Sequence, residues 1–359
     1  MRIFDAHLDL ALNGVDWNRD LREPVDTIRN REVDAGMQQA GRGNGTVSFH
    51  ELQLAEVHTC LATLLARQEP AIDHDFGWTS EHACYAMAHA HLAYYRALEK
   101  DGLLKVIRSS NDLAEHNSAT SHNGTDGAPH NVIGCILTME GADPLLTPDT
   151  VDEFFHLGLR AIGLTHYGNN RYGGGTESNL GLATEARPLL RRIDDLGMIL
   201  DLTHLSDKAF WQVLDQFDGP VHASHQNSKR LADWQRQYSD EQYLEVIGRG
   251  GVVGVACDII MLQHNYVRNE STRMATLETI AENIDIVCQL AGNADHVGIG
   301  SDLDGAYGCE QTPVDLDRIS DLQRLPEILG QRGYSPEDIA QILYGNWDRF
   351  FQQHLPTSG

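Results

Sequence analysis

Residues 198–225 decide the fold of this chain, and they read MILDLTHLSDKAFWQVLDQFDGPVHASH. An apolar run at 198–202 precedes a stretch with helical periodicity at 207–216, and a second apolar run follows at 221–223. A strand, a helix and a second strand in this order are typical of a βαβ unit, in which the two strands run parallel. A histidine closely follows each of the two apolar runs.

The same alternation extends along the rest of the chain. The other clear apolar runs lie at 3–4, 59–65, 132–139, 161–164, 252–256 and 297–299. Further stretches with helical periodicity lie at 184–196, 276–290 and 315–329. Repeated strand–helix units in a chain of 359 residues favour a (β/α)8 TIM barrel. Alternation alone leaves a doubly wound open sheet as the alternative, and residues 103–107 are a ninth candidate strand.

Two segments are predicted to be surface loops, the glycine-rich 36–46 and 117–130, which is rich in Ser, Thr, Asn, Gly and Asp; 167–175 is predicted to be a third loop, directly after a strand. Strand–helix alternation resumes after each of them, so none is interpreted as a linker between domains. The prediction is therefore a single α/β domain over residues 1–359.

Charge and composition exclude several classes of partner. The chain has 27 basic and 52 acidic side chains, a formal net charge of −25. Such a surface repels phosphate backbones and anionic lipids, so we expect no nucleic-acid or membrane partner. The N-terminus lacks the pattern of a secretory signal, and a cytoplasmic location is expected. Six cysteines without a C-x-x-C pair do not indicate a disulfide framework.

Polar residues follow the first strand and the strand at 132–139. His7 and Asp9 are two residues apart, which places both side chains on one face of a strand, where an imidazole and a carboxylate can bind one divalent ion. The alternative is a polar strand end that meets solvent. Glu140 could bridge two ions with its two oxygens, or it could cap the following helix.

Histidines end three further strands, at His166, His204 and His225. A lone histidine beside apolar residues is more often structural than a ligand. Three at matching strand ends, together with His7, indicate a metal site. Histidines combined with carboxylates and no cysteine suit a catalytic zinc site with open coordination positions.

Two aspartates lie in the string HVGIGSDLDG at 296–305. Acidic residues are depleted in sheet interiors, so Asp302 at a strand end indicates a metal ligand or a general base. Asp304 is predicted to shape the turn through a side-chain hydrogen bond to the backbone.

Other signals are weaker. His82, His89 and His91 lie on a predicted helix and are expected to face solvent. The glycine-rich segments do not match a nucleotide-binding pattern, and no G-x-S-x-G nucleophile motif is present.

An ordered set of short motifs resembles the membrane (renal) dipeptidase family of zinc metallopeptidases. The motifs are DAHLDL, TMEGADPL, LTHYGNN, DLTHLS, ASHQNSKRL and HVGIGSDLDG, and the resemblance extends to YGNW at 344–347. It implies an amidohydrolase-like (β/α)8 barrel with two Zn²⁺ ions per chain. It also implies a dipeptide substrate and, by analogy, a possible homodimer. The segments 43–70 and 167–175 differ from the family pattern, so the side-chain preference is not predicted.

The resemblance implies a role for each candidate residue. Six match metal-binding positions: His7 and Asp9 at the first zinc, Glu140 as the bridge, His204 and His225 at the second zinc, and Asp302 at the first zinc. Asp302 also matches the aspartate that transfers the proton, and His166 matches the histidine that polarises the scissile carbonyl. Arg236 falls where the family places an arginine for the substrate carboxylate, with Arg230 as the nearby alternative.

The predicted function is that of a dinuclear zinc dipeptidase, which hydrolyses L-Xaa-L-Xaa or L-Xaa-D-Xaa through a metal-bridging hydroxide. An amidohydrolase that opens a lactone or a cyclic amide on the same metal ligands is the nearest alternative. A non-catalytic metal-binding protein is the third, and it would require an incomplete ligand set.

Overall fold

The computed structural model describes residues 1–69, 77–120 and 132–359. Within this part of the chain the strands are β1 (Ile3–Leu8), β2 (Val57–Leu64), β3 (Leu104–Val106), β4 (Ile133–Met139), β5 (Leu159–Gly163), β6 (Ile199–Asp201), β7 (Val221–His222), β8 (Val253–Val255) and β9 (Val297–Ile299). All except one residue of these strands are buried, which explains why most of them read as continuous apolar runs.

The α-helices of the same part of the chain are α1 (Val25–Asp34), α2 (Phe49–Leu54), α3 (Glu81–Lys100), α4 (Ser110–Thr120), α5 (Thr150–His156), α6 (Ala186–Asp195), α7 (Asp207–Leu214), α8 (Asp240–Gly248), α9 (Leu277–Ala291), α10 (Leu325–Gln331), α11 (Pro336–Ala340) and α12 (Asn346–His354). Several begin after a serine whose hydroxyl accepts a hydrogen bond from the first turn, among them α3 after Ser80 and α7 after Ser206. In the described residues, no helix combines the length and apolar character needed to cross a bilayer.

The chain divides into two compact units. The first contains Met1–Cys60 and Ala223–Asp348, and the second contains Leu61–His222 and Arg349–Gly359. The single domain predicted over residues 1–359 stays a prediction.

The first unit is built around β9, which pairs in parallel with both β1 and β8. The buried carboxylate of Asp5 accepts hydrogen bonds from the backbone N–H groups of Ser301 (2.8 Å) and His7 (3.2 Å), and so joins the ends of β1 and β9. Glycines allow other elements to approach β9 closely: a Cβ on Gly298 would overlap Trp347, whose indole N–H donates to the carbonyl of Ile299 at 3.0 Å.

The second unit contains the parallel series β4, β5, β6 and β7, with β3 paired to the other edge of β4. The ninth candidate strand at 103–107 is thus confirmed as β3. Parallel neighbours place the carboxyl ends of all these strands at one edge of the sheet, where the predicted site residues of this unit follow them.

Three sequence-based expectations differ from the structure. Residues 117–120 of the predicted loop 117–130 belong to α4, and 121–130 lie outside the described residues. The helix predicted at 315–329 is not one α-helix: a 3-10 helix spans Ile319–Arg324, and α10 follows from Leu325 with Pro326 in its first turn, where the missing N–H of proline is tolerated best. His91 is buried and does not face solvent, because it lies on the apolar stripe of α3 with Ala88 and Leu92.

Candidate metal centre

Two histidines and a carboxylate come together in the first unit. His7 lies in β1, His225 follows β7 by three residues, and Asp302 follows β9 by three residues. One ligand atom from each of these three residues lies within 4.8 Å of the other two. The rings of His7 and His225 have centroids 3.8 Å apart, and Nε2 of His7 is 3.8 Å from Oδ1 of Asp302. Two imidazoles and a carboxylate form a donor set that suits zinc.

Asp9 belongs to the same group, because its Oδ2 is 3.7 Å from Nε2 of His7. Both side chains are almost completely buried, which argues against the alternative of a polar strand end in solvent. We call His7, Asp9, His225 and Asp302 the first ligand group.

The second unit brings Glu140, His166 and His204 together. Oε1 of Glu140 is 3.0 Å from Nε2 of His204 and 3.7 Å from Nε2 of His166, and the two imidazole centroids are 4.4 Å apart. We call these three residues the Glu140 cluster; Glu140 and His204 are predicted metal ligands, and His166 is predicted to polarise the scissile carbonyl. Glu140 comes directly after β4, while the two histidines follow β5 and β6 by three residues each.

Hydroxyl groups orient two of the histidines. Nδ1 of His204 is 2.8 Å from Oγ1 of Thr176, and Nδ1 of His225 is 2.8 Å from Oγ of Ser224. In the tautomer with Nδ1 protonated, each ring donates to its hydroxyl and presents Nε2 as the ligand atom, which is a common arrangement for metal-binding histidines. No sequence pattern indicates the role of Thr176, and Ser224 is notable in the sequence only as the neighbour of His225.

The loop that carries Asp302 is strained. Asp302, Asp304 and Ala306 have φ angles of 59°, 63° and 62°, in the left-handed region that non-glycine residues rarely adopt. Such a conformation costs roughly 1–2 kcal/mol for a residue like Ala306. Gly305 is needed between them, because a Cβ there would overlap Oδ1 of Asp302. We call residues 301–306 the Asp302 loop.

Asp304 belongs to this loop, and its side chain is buried. Its carboxylate accepts hydrogen bonds from the backbone N–H groups of Thr46 (2.7 Å) and Val47 (3.0 Å) and from the hydroxyl of Thr46 (2.8 Å). The predicted hydrogen bond from its side chain to the backbone therefore exists, but it fixes a distant segment of the chain and not the turn of Asp304 itself.

A further acidic residue, Asp258, follows β8 by the same three residues and was missed in the sequence. Both of its carboxylate oxygens accept from Nε2 of Gln311, at 2.9 and 3.0 Å, and Oδ1 accepts from the N–H of Ile260. Burial raises the pKa of Asp258 to about 7.

The two candidate arginines differ in their surroundings. Arg236 is buried, and its guanidinium donates to the carbonyl of His225 (2.7 Å) and to Oε1 of Gln226. Arg230 is exposed and paired with Asp240, with Nε 2.8 Å from Oδ1. Of the two arginines, Arg236 is therefore the one whose hydrogen bonds reach a predicted metal ligand, His225.

Comparison with known proteins gives a consistent family. The model of the membrane dipeptidase family (peptidase family M19) matches residues 1–355. A protein of Klebsiella pneumoniae, described as an uncharacterized protein in the pqqA 5' region, is 31% identical over 55% of this chain and 73% of its own length. Dipeptidase 3 of Macaca fascicularis is 26% identical over 77% of this chain and 55% of its own. The chain spans about half the length of several other curated relatives.

Solved structures show the fold. The crystal structure of the M19 metallopeptidase "dipeptidase AC" matches with a TM-score of 0.79 and 24% identity, over 99% of both chains. A metallopeptidase from Rhodobacter sphaeroides matches with a TM-score of 0.78 and 23% identity, again over 99% of both. The predicted fold class, an amidohydrolase-like (β/α)8 barrel, is confirmed.

Proposed function

The chain belongs to the membrane dipeptidase family, peptidase family M19, and from that premise we propose that it is a metallo-dipeptidase with two zinc ions. The observation that carries the proposal is the first ligand group, in which donor atoms of His7, His225 and Asp302 lie within 4.8 Å of one another. A non-catalytic metal-binding protein would require an incomplete ligand set, and all the predicted ligands are present.

We assign the ions to six ligands as the family resemblance implies: His7, Asp9 and Asp302 for one zinc, His204 and His225 for the other, and Glu140 as the bridge. His225 lies beside His7 although the two are assigned to different ions, and this fits a dinuclear site, in which ions are ~3.5–4 Å apart. When bound, zinc lowers the pKa of a coordinated water toward neutrality and polarises the scissile carbonyl.

The other groups act on the substrate. Asp302 accepts the proton of the attacking water and passes it to the leaving amine, a role that its carboxylate beside His7 supports. His166 donates a hydrogen bond to the developing oxyanion of the scissile carbonyl. Its ring lies beside Glu140 and His204, which supports this assignment.

Arg236 binds the substrate's terminal carboxylate, which restricts the substrate to dipeptides. Its contact with the carbonyl of His225 supports it over Arg230, whose guanidinium is held by Asp240 at the surface.

The substrate class is L-Xaa-L-Xaa or L-Xaa-D-Xaa. The Rhodobacter sphaeroides metallopeptidase is described as liganded with a phosphinate mimic of the dipeptide L-Ala-D-Ala, which supports including D residues at the second position. A homodimer and a cytoplasmic location, with no nucleic-acid or membrane partner, complete the proposal. Sedimentation and cell fractionation test these last points.

One experiment tests the proposal directly. Elemental analysis should find close to two zinc ions per chain, and a screen of L-L and L-D dipeptides should show hydrolysis that a chelator abolishes and added zinc restores. Lactones and cyclic amides are included as the alternative substrates. Turnover of these and of no dipeptide would favour the alternative amidohydrolase, and full activity with one ion would contradict the dinuclear site.

A further inference from the structure

A buried hydrogen-bond network in the first unit lies directly behind Asp9 and the Asp302 loop. Its centre is Asn13, whose side-chain amide donates to the carbonyl of Asp9 (2.9 Å) and to the carbonyl of Asp304 (2.9 Å). One amide group therefore joins a proposed zinc ligand to the loop that carries the proposed proton-transfer residue.

Arg19 fixes the orientation of Asn13. Its Nη1 donates to Oδ1 of Asn13 at 2.7 Å and lies 3.3 Å from Oδ2 of Asp304. Because Oδ1 of Asn13 accepts from Arg19, the NH₂ end of the amide must face the carbonyls of Asp9 and Asp304. The opposite amide orientation would place a donor against the guanidinium and an acceptor against two carbonyls.

Arg19 is itself held from the other side. Its Nε and Nη2 donate to the two oxygens of Glu32, at 2.8 and 3.1 Å, and Nη2 also donates to the carbonyl of Gly41 at 2.7 Å. Arg19 and Glu32 are both buried, and the carboxylates of Asp304 and Glu32 raise the pKa of Arg19 against the opposing effect of burial. The guanidinium thus remains a fixed cation with a bidentate partner.

The network acts where the backbone is strained. Asp302, Asp304 and Ala306 keep left-handed φ angles only if surrounding contacts hold them there. The contacts to Asp304 include those from Asn13, Arg19, Thr46 and Val47. Since Asp304 is two residues from Asp302, a shift of Asp304 would move the proton-transfer carboxylate away from His7.

We propose that Asn13 and Arg19 are positioning residues, which hold Asp9 and the Asp302 loop in the arrangement that zinc binding and proton transfer require. Neither residue is assigned a contact with substrate or zinc. The proposal rests on the proposed function, in that the arrangement it explains is that of the zinc and proton-transfer groups.

The decisive variant is Asn13→Leu, which has nearly the same shape and removes both donors. We expect it to lose zinc at a chelator concentration that wild type tolerates, and to lower kcat about ten- to a hundred-fold with KM changed little. Arg19→Met should give the same pattern, and Arg19→Lys, which keeps the charge but loses the bidentate contact, should recover part of the zinc retention.

Arg42→Met is the matched control. Arg42 also donates to Glu32 (2.8 Å) and stacks on the Trp17 ring, as Arg19 does. Within the described residues, no hydrogen bond or ion pair joins it to Asn13 or Asp304. It should therefore lower the melting temperature without changing zinc retention or kcat.

Zinc retention and kcat distinguish a positioning role from a purely structural one. An Asn13→Leu protein that keeps zinc and kcat, and loses only thermal stability, would overturn the proposal, as would Arg42→Met losing zinc as readily as Arg19→Met. If Arg19→Met does not fold, Asn13→Leu decides. A wild-type chain that binds zinc but cleaves no dipeptide would overturn the proposed function, while the comparison of zinc retention would still decide the role of Asn13.

Discussion

Asp302 combines a carboxylate at the candidate metal centre with a left-handed backbone conformation. Its carboxylate lies beside the buried imidazole of His7, and its backbone has a φ of 59°. Left-handed backbone at a functional position is typical of residues that are held for chemistry and not for stability.

Asp302→Asn should lower kcat by about 100-fold or more, the usual scale for loss of a general acid–base group. The amide retains the shape of the side chain but cannot accept and release the proton. The measurement is steady-state hydrolysis of a dipeptide by protein whose zinc content has been verified as equal to wild type. Wild-type turnover in that zinc-loaded variant would reject the proton-transfer role.

Arg236→Ala should lower kcat/KM roughly ten- to a hundred-fold for a dipeptide, because a hydrogen-bonded charged pair contributes ~1.5–3 kcal/mol. For a dipeptide amide, which has no terminal carboxylate, the loss should be much smaller. Loss of the hydrogen bond from Arg236 to the His225 carbonyl should affect hydrolysis of both substrates equally. The ratio of kcat/KM for the dipeptide to kcat/KM for the dipeptide amide therefore measures recognition of the carboxylate alone.

Arg230→Ala is the control for that experiment. Its guanidinium is paired with Asp240 at the surface, and removing it should change neither rate. If Arg230→Ala lowers kcat/KM for the dipeptide more than Arg236→Ala does, and leaves the dipeptide amide unaffected, then Arg230 binds the substrate carboxylate. Equal effects on acid and amide in both variants would argue against a dipeptide substrate.

At the scale of elements, the strand ends were predictable and the loops between them were not. His166, His204 and Asp302 each follow a strand by three residues, and apolar runs locate buried strands well. The hydroxyl of Thr176 reaches His204 from another loop, and such contacts leave no periodic signal in a sequence.

The same limit applies to the network behind the site. Arg19 and Asn13 occur in a segment without periodicity, and their importance depends on contacts with residues almost 300 positions away, such as Asp304. The prediction that His91 faces solvent is wrong, because it rests on the polarity of the side chain and not on its position in the apolar stripe of α3. The pattern of apolar residues in a sequence identifies helices and strands, whereas buried polar contacts can be identified only in the tertiary structure.

Gly298→Ala tests the close packing around β9. A Cβ there would overlap the indole of Trp347, which is fully buried, so the substitution should lower the free energy of unfolding by about 1–3 kcal/mol. Gly248→Ala in α8 is the control, because no atom beyond its chain neighbours and the backbone of its own helix lies within 4 Å of the added Cβ. Chemical denaturation should show no loss of stability for the control, and equal losses in both variants would contradict the packing argument.

At the scale of the whole molecule, buried carboxyl groups influence how stability depends on pH. Burial raises the pKa values of Asp5, Asp304 and Asp258 above the usual value of 3.8, and that of Asp258 reaches about 7. A carboxyl whose pKa is raised on folding binds its proton more tightly in the folded state. Its contribution to stability is therefore complete below pH 3.8 and is lost as the pH rises through 7.

Asp258→Asn should remove this dependence. The free energy of unfolding of the variant, relative to wild type, should increase by about 1.4 kcal/mol per pH unit between pH 4 and 7 and level off above. Because a nearby zinc ion would lower the pKa of the carboxyl, the denaturation series is run after chelator treatment. A relative stability that does not vary with pH would show that Asp258 is ionised throughout the range.

The division of the first unit between Met1–Cys60 and Ala223–Asp348 has a consequence for synthesis on the ribosome. β1, with the sequence IFDAHL, emerges well before its parallel partner β9, which begins only at Val297. At roughly 5–20 residues per second, β1 waits on the order of 15–60 s for that partner. During this interval an apolar strand that carries His7 has an unpaired edge, which makes the nascent chain a natural client for chaperones that bind extended apolar segments.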